Sequence, residues 1–183
     1  TIKGQNYEAM IRRIAMVGPK IKGLVWYGES LMQQPGGGDL YEAAILQLID
    51  GVRNDTGVRN LPFLCVQIAR FFWNYDSLKH SCEKIRDIQR RLSSLRQNVY
   101  TVSALDLPLE DAAHVSFEGY QRLGRRLAEL ALSYVYGQRD HGTEISLKEI
   151  EVLQPENRRP MVRVRFSGVS GRLNSTGLPT GFG

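Results

Sequence analysis

The most constraining feature of the chain is a nearly unbroken apolar run from Pro62 to Ile68. A strand with no polar face cannot border water, so both of its sides must be covered. That is the situation of an inner strand in a parallel sheet flanked by helices. Two further short runs, Leu24 to Tyr27 (ending at Gly28) and Asn98 to Ala104, read as companion strands. Between them lie amphipathic stretches. Tyr41, Ile45, Leu48 and Val52 follow the glycine-rich loop 33–38, with Asp39 expected as the helix N-cap. Leu78, Cys82, Ile85, Leu92 and Leu95 mark the next helix. An earlier helix is expected over Asn6–Val17, capped by Asn6, with Tyr7, Met10, Ile11, Ile14 and Val17 on one stripe and Gly18-Pro19 as its stop. A last helix, capped by Ser116, carries Phe117, Tyr120, Leu123, Leu127, Leu130 and Tyr134 and ends at Gly137.

Helices alternating with short buried strands predict an α/β fold with a parallel sheet in three α/β/α layers. Flavodoxin-like sheets have about five strands, and only three are found, so the sheet is expected to lack its N-terminal strands. A start at Thr1 rather than Met agrees with that expectation. From Gln138 onward the pattern changes. Residues 145–152 alternate weakly. Met161–Phe166 alternates cleanly, with Val162, Val164 and Phe166 facing one way and two arginines the other, as in a half-exposed antiparallel strand. The chain therefore divides into residues 1–138, a partial α/β domain, and residues 139–183, the start of a β-rich accessory region.

The net charge of +5 raises nucleic acid as a partner. The paired arginines Arg90-Arg91 and Arg125-Arg126 lie on helical periods and read as solvated faces, and no aromatic platform is interleaved with them. Nucleic acid is not expected. No run approaches the roughly 20 apolar residues of a membrane span, and no signal peptide is visible. Cys65 lies inside an apolar run and reads as a small buried hydrophobe; Cys65 and Cys82 make no disulfide framework. His80 and His141 have no ligand-spaced companions, so no metal and no cofactor is expected. Gly36-Gly37-Gly38 is not followed by Lys-Ser/Thr, which argues against a P-loop. Phe71, Phe72, Trp73 and Tyr75 form an aromatic group that fits either core packing or sugar stacking.

The chemistry concentrates after the third strand, where open α/β sheets hold their ligands. Asp111 and His114 stand three residues apart there. A carboxylate so placed can hold the imidazole in one tautomer and stabilise its charged form. The spacing alone also fits a surface aspartate beside a helix-capping histidine.

The run Asp111-Ala112-Ala113-His114-Val115-Ser116-Phe117-Glu118-Gly119-Tyr120-Gln121-Arg122-Leu123-Gly124 resembles the last conserved block of SGNH hydrolases. The group it is most similar to is the sialate O-acetylesterase-like and acetylxylan-esterase-like carbohydrate esterases. Lys20–Ser30, with Trp26-Tyr27-Gly28-Glu29-Ser30, resembles that family's Trp-Tyr-Gln-Gly-Glu-Ser loop, and Tyr7–Ile11 and Leu61–Ala69 fit its pattern in the same order. The similarity covers about residues 5 to 137. It implies an SGNH-type serine esterase that removes acetyl groups from sugars, with His114 as general base and Asp111 as its partner. Gly28, Glu29 and Ser30 would belong to the oxyanion and site loop. The implied partner is an acetylated carbohydrate, and the implied setting is secreted or periplasmic.

Two departures stand out. The glutamine between Tyr27 and Gly28, which in the family contributes to the oxyanion hole, is missing. One such donor is worth about 10² to 10³ in rate. The family's Gly-Gln-Ser-Asn-like nucleophile turn has no match either. Gly4-Gln5-Asn6 lacks the serine and reads as a helix cap, Ser116 as an N-cap, and Ser103 as a strand-end residue; Ser30 matches a family serine that is not the nucleophile. The chain alone is therefore expected to be inactive. The alternative is a non-catalytic carbohydrate- or partner-binding domain on an esterase scaffold.

Overall fold

The computed structural model of the chain describes residues 4–18, 21–28, 36–72, 76–138, 145–154, 159–169 and 171. In order they form α1 (Gln5–Val17), β1 (Leu24–Trp26), α2 (Gly37–Thr56), β2 (Phe63–Gln67), α3 (Asp76–Leu95), β3 (Val99–Ser103) and α4 (Phe117–Leu130). A π-helical turn (Ala131–Val135) extends α4, and β4 (Ser146–Leu153) and β5 (Met161–Ser167) follow. The first three strands form one parallel sheet in the order β1-β2-β3, with Leu24 opposite Phe63 and Phe63 opposite Val99.

The unbroken apolar run is explained by the two cores that β2 separates. Phe63 and Cys65 face Tyr41, Ile45 and Ile49 of α2 and Cys82, Ile85, Ile88 and Leu92 of α3. Leu64 and Val66 face the other way, toward Val102, Leu107, Val115 and the α4 residues Leu123 and Leu130. Successive strand residues point to opposite faces, so the buried positions Phe63 to Val66 all need an apolar side chain. Burial of Cys65 also pushes its thiol up to about 12, which leaves it inert.

Several local expectations are corrected. α1 begins at Gln5 with Gly4 as its cap, not Asn6, and no side chain caps it. Val17 is 83% exposed rather than part of a buried stripe. α2 starts two residues before Asp39, with Gly36 as its cap at φ 68°, a left-handed conformation that glycine adopts without strain. Asp39 instead sits in the first turn, where an acid suits the helix dipole, and it pairs with Lys84. Ile49, not Leu48, is the fully buried member of the α2 stripe, while Leu48 packs at its margin. The hairpin β4–β5 is antiparallel as expected, with Glu149 and Glu151 paired to Arg165 and Arg163. Its other face is not covered, however: Ile150, Val152, Val162 and Phe166 are all exposed. Alternation records which face is apolar but not whether anything lies on it. Among the described residues no helix is long and apolar enough to cross a membrane.

Candidate active site

The loop from Ala104 to Ser116 joins β3 to α4 at the carboxyl end of the sheet, and both of its ends are tied down. At the front, the Arg126 guanidinium on α4 donates to both carboxylate oxygens of Asp106 and to the Ser103 carbonyl. This charge-assisted pairing holds the Asp106 carboxyl below its ordinary range. Arg126 was expected on a solvated face; it is instead half-buried and fastens the loop to the helix. At the back, Ser116 caps α4 as expected, its Oγ accepting from Gly119 N at 3.2 Å. Ser116 N donates to the Pro108 carbonyl, and Leu109 and Val115 form a bridge across the loop.

Gly119 lets α4 approach this closely. A Cβ there would lie 2.5 Å from Val115 Cγ1 and 2.9 Å from the Pro108 carbonyl oxygen. Gly119→Ala is therefore expected to destabilise the fold by about 1–3 kcal/mol, although alanine is the better helix former by about 1 kcal/mol. Chemical denaturation measures the change, and a variant as stable as the parent would show that the loop yields freely.

Asp111 and His114 meet at the tip. Asp111 Oδ2 lies 2.7 Å from His114 Nδ1, and Asp111 Oδ1 accepts from the backbone N–H groups of Ala113 and His114, both at 2.7 Å. The two backbone donors, then the imidazole, hold the Asp111 carboxyl down at about 2. Because this value is depressed below the ordinary 3.9 or so, the stabilising contribution of the turn is fully present above about pH 4. It is lost as pH falls through about 2. The Ala113 and His114 amide resonances are expected to titrate together in that range. A midpoint near 4 would mean that the turn does not form.

His114 lines a cleft of about 200 Å³ with Tyr27, Gly28, Ala113, Val115 and Tyr120. The loop that follows β1 and the loop that precedes α4 thus meet at one cleft. Glu29 and Ser30 lie outside the described residues, as do Trp73, Tyr75 and His141. Of that aromatic group, Phe71 packs against the core and Phe72 is exposed, its N–H donating to the Ala112 carbonyl. Ring contact between Tyr27 and Tyr120, at 6.4 Å and 64°, closes one side of the cleft. Phe117 and Tyr120 were expected on the packed stripe of α4 but are 76% and 48% exposed. Their periodicity is right, yet Tyr120 borders the cleft and Phe117 faces outward, away from the core.

Neither described serine near the loop is placed to react. Ser116 Oγ caps α4, and Ser103 Oγ donates to Gln67 Oε1. A larger groove of about 790 Å³ lies between the outer faces of α2 and α3. Three of its four acids, Asp39, Glu42 and Asp87, pair with Lys84 and Arg91, which makes it largely an ion-paired surface. Among the described residues no three histidine, cysteine or acidic side chains cluster as metal ligands.

Comparison with known proteins bears on the fold and the family. An X-ray structure of a protein from Arabidopsis thaliana superposes with a TM-score of 0.61 at 30% identity, over 72% of this chain and 54% of that one. A carbohydrate acetylesterase from Xanthomonas citri superposes with a TM-score of 0.59 at 24% identity, over 72% of this chain and 30% of its own length. The chain thus spans about half of one relative and under a third of the other. No curated protein sequence matched. A family model described as carbohydrate esterase, sialic acid-specific acetylesterase, matches residues 2–133. The chain belongs to that carbohydrate esterase family.

Proposed function

We propose that this chain carries the acid–base half of a serine-type carbohydrate acetylesterase site. The observation that carries the proposal is the 2.7 Å contact of Asp111 Oδ2 with His114 Nδ1. With Nδ1–H donated to the carboxylate, neutral His114 has its lone pair on Nε2. Nε2 takes the proton of a serine hydroxyl as the oxygen attacks the acetyl carbonyl carbon. The imidazolium so formed, stabilised by Asp111, returns the proton to the departing sugar oxygen. Water activated by the same nitrogen then releases acetate from the acyl-enzyme. Gly28, on the same cleft, offers a backbone N–H toward the developing oxyanion.

The nucleophile is assigned to a serine on a strand alongside β1. The far edge of β1 has no partner strand among the described residues, and Val25 is 55% exposed beside it. A further parallel strand there would end next to Tyr27 and Gly28, on the cleft that His114 lines. Residues 1–138 would form the hydrolase part and residues 139–183 an accessory β region. The second reading is a non-catalytic carbohydrate- or partner-binding domain. The direct Tyr27–Gly28 junction, with no glutamine to serve the oxyanion, favours it.

Hydrolysis of a chromogenic acetyl ester, by the chain and by its His114→Ala variant, is the test. Neither is expected to exceed background. A polypeptide extended by a strand bearing a Gly-x-Ser turn is expected to gain hydrolysis that His114→Ala abolishes. The binding reading expects no gain. Activity of the chain itself that disappears with His114 would place the nucleophile within the 183 residues and overturn its assignment to an added strand.

A further inference from the structure

Resting on the esterase reading, we infer that Tyr120 is the platform on which the sugar ring of the acetylated substrate lies, with Tyr27 setting the platform's angle. Helical periodicity groups Tyr120 with Leu123 and Leu127, yet Leu123 is 3% exposed and Tyr120 48%. The loop and Gly119 fix the first turn of α4 against Val115 and Pro108, and that docking holds the Tyr120 ring at the mouth of the cleft. The contact between Tyr27 and Tyr120 is edge to face. In such a pair each ring keeps at least one broad face that its mate does not cover.

Such a surface suits a pyranose. The ring's C–H groups form a flat, weakly electropositive face that matches the negative face of an aromatic ring, and its hydroxyls remain at the rim for hydrogen bonding. At about 200 Å³ the cleft is smaller than the roughly 300–1,000 Å³ of sites that swallow drug-sized ligands. It admits the acetyl group and the near edge of one sugar, with the rest of the ring outside on Tyr120. His114 lines the same cleft, so a sugar seated on Tyr120 would present its ester to Nε2.

The test is NMR titration of the full chain and its Tyr120→Phe, Tyr120→Leu and Tyr120→Ala variants. The probes are O-acetylated methyl glycosides of xylose, glucose and N-acetylneuraminic acid, the deacetylated parents, and ethyl acetate as an acyl-only ligand. At least one glycoside is expected to shift the Gly28, Ala113 and His114 resonances. Tyr120→Phe should keep the affinity. The leucine and alanine variants should weaken both the acetylated glycoside and its parent on the order of 10-fold, leaving ethyl acetate unaffected. Tyr120→Leu keeps an apolar side chain, so its loss isolates the flat face and does not depend on the alanine variant folding well. Unchanged glycoside affinity in both variants, with the cleft resonances still responding, would overturn the platform while leaving the esterase reading intact. Weakening of ethyl acetate to the same extent would move Tyr120 from the ring to the acyl group and also overturn it. If no probe moves the cleft resonances of the native chain, the esterase reading itself fails.

Discussion

In an active polypeptide carrying this chain, Asp111→Asn is expected to lower acetyl-ester turnover about 10³- to 10⁴-fold while leaving the loop folded. The magnitude follows from the known cost of holding a catalytic histidine in the wrong tautomer. Asparagine keeps an oxygen in the place of Oδ1, so the backbone donors of Ala113 and His114 stay satisfied. The atom that replaces Oδ2 becomes an NH₂ group, which donates to His114 Nδ1 and so moves the imidazole proton to Nε2. That nitrogen can then no longer accept the serine proton. Two measurements separate this account from simple unfolding. Rates should fall in kcat with little change in KM. In the 183-residue chain itself, imidazole ¹⁵N shifts should report Nδ1–H in the parent and Nε2–H in the variant. An Nε2–H parent would remove the basis of the proposed mechanism.

The parts that were legible in the sequence are those whose physics is local or compulsory. A run such as Phe63-Leu64-Cys65-Val66 has to be covered on both faces, and Phe63 and Cys65 do lie in one core while Leu64 and Val66 lie in the other. The Asp111–His114 contact closes within a single turn, so the spacing permitted it. The same spacing also fitted a surface aspartate beside a capping histidine, and only the resemblance favoured the pair. What was not legible depends on partners distant in the chain. Nothing in the residues around Tyr27 says that its ring meets Tyr120, because that contact exists only once β1 and α4 are both placed on the sheet. Arg126 looked like half of a solvated pair because its partner Asp106 lies on another element. The β4–β5 hairpin shows the same limit: its alternation is correct, but the apolar face is exposed.

Gln89 is the sharpest case, and it carries the largest stability prediction. It lies within the α3 stripe, between Ile85 and Leu92, and as a polar residue it gives no sign of facing inward. It is nonetheless fully buried. Its Oε1 accepts from Ile68 N and its Nε2 donates to the Tyr41 hydroxyl, both at 2.9 Å. The first bond satisfies the backbone just beyond the last residue of β2. The second serves a phenol that burial has pushed up to about 12 and that is costly to leave without a partner. One side chain therefore ties α2, α3 and the end of the central strand together inside the core. Gln89→Ala is expected to cost about 2–4 kcal/mol, combining the lost volume with two buried polar groups deprived of a partner. Gln89→Leu restores most of the volume but neither hydrogen bond, so it should recover only part of that loss. Adding Tyr41→Phe to Gln89→Leu should recover more, because the second polar group is then gone and only Ile68 N–H is left. Urea denaturation of the three variants decides the matter: a Gln89→Leu variant as stable as the parent would mean that packing alone, and not the polar link, holds this part of the core.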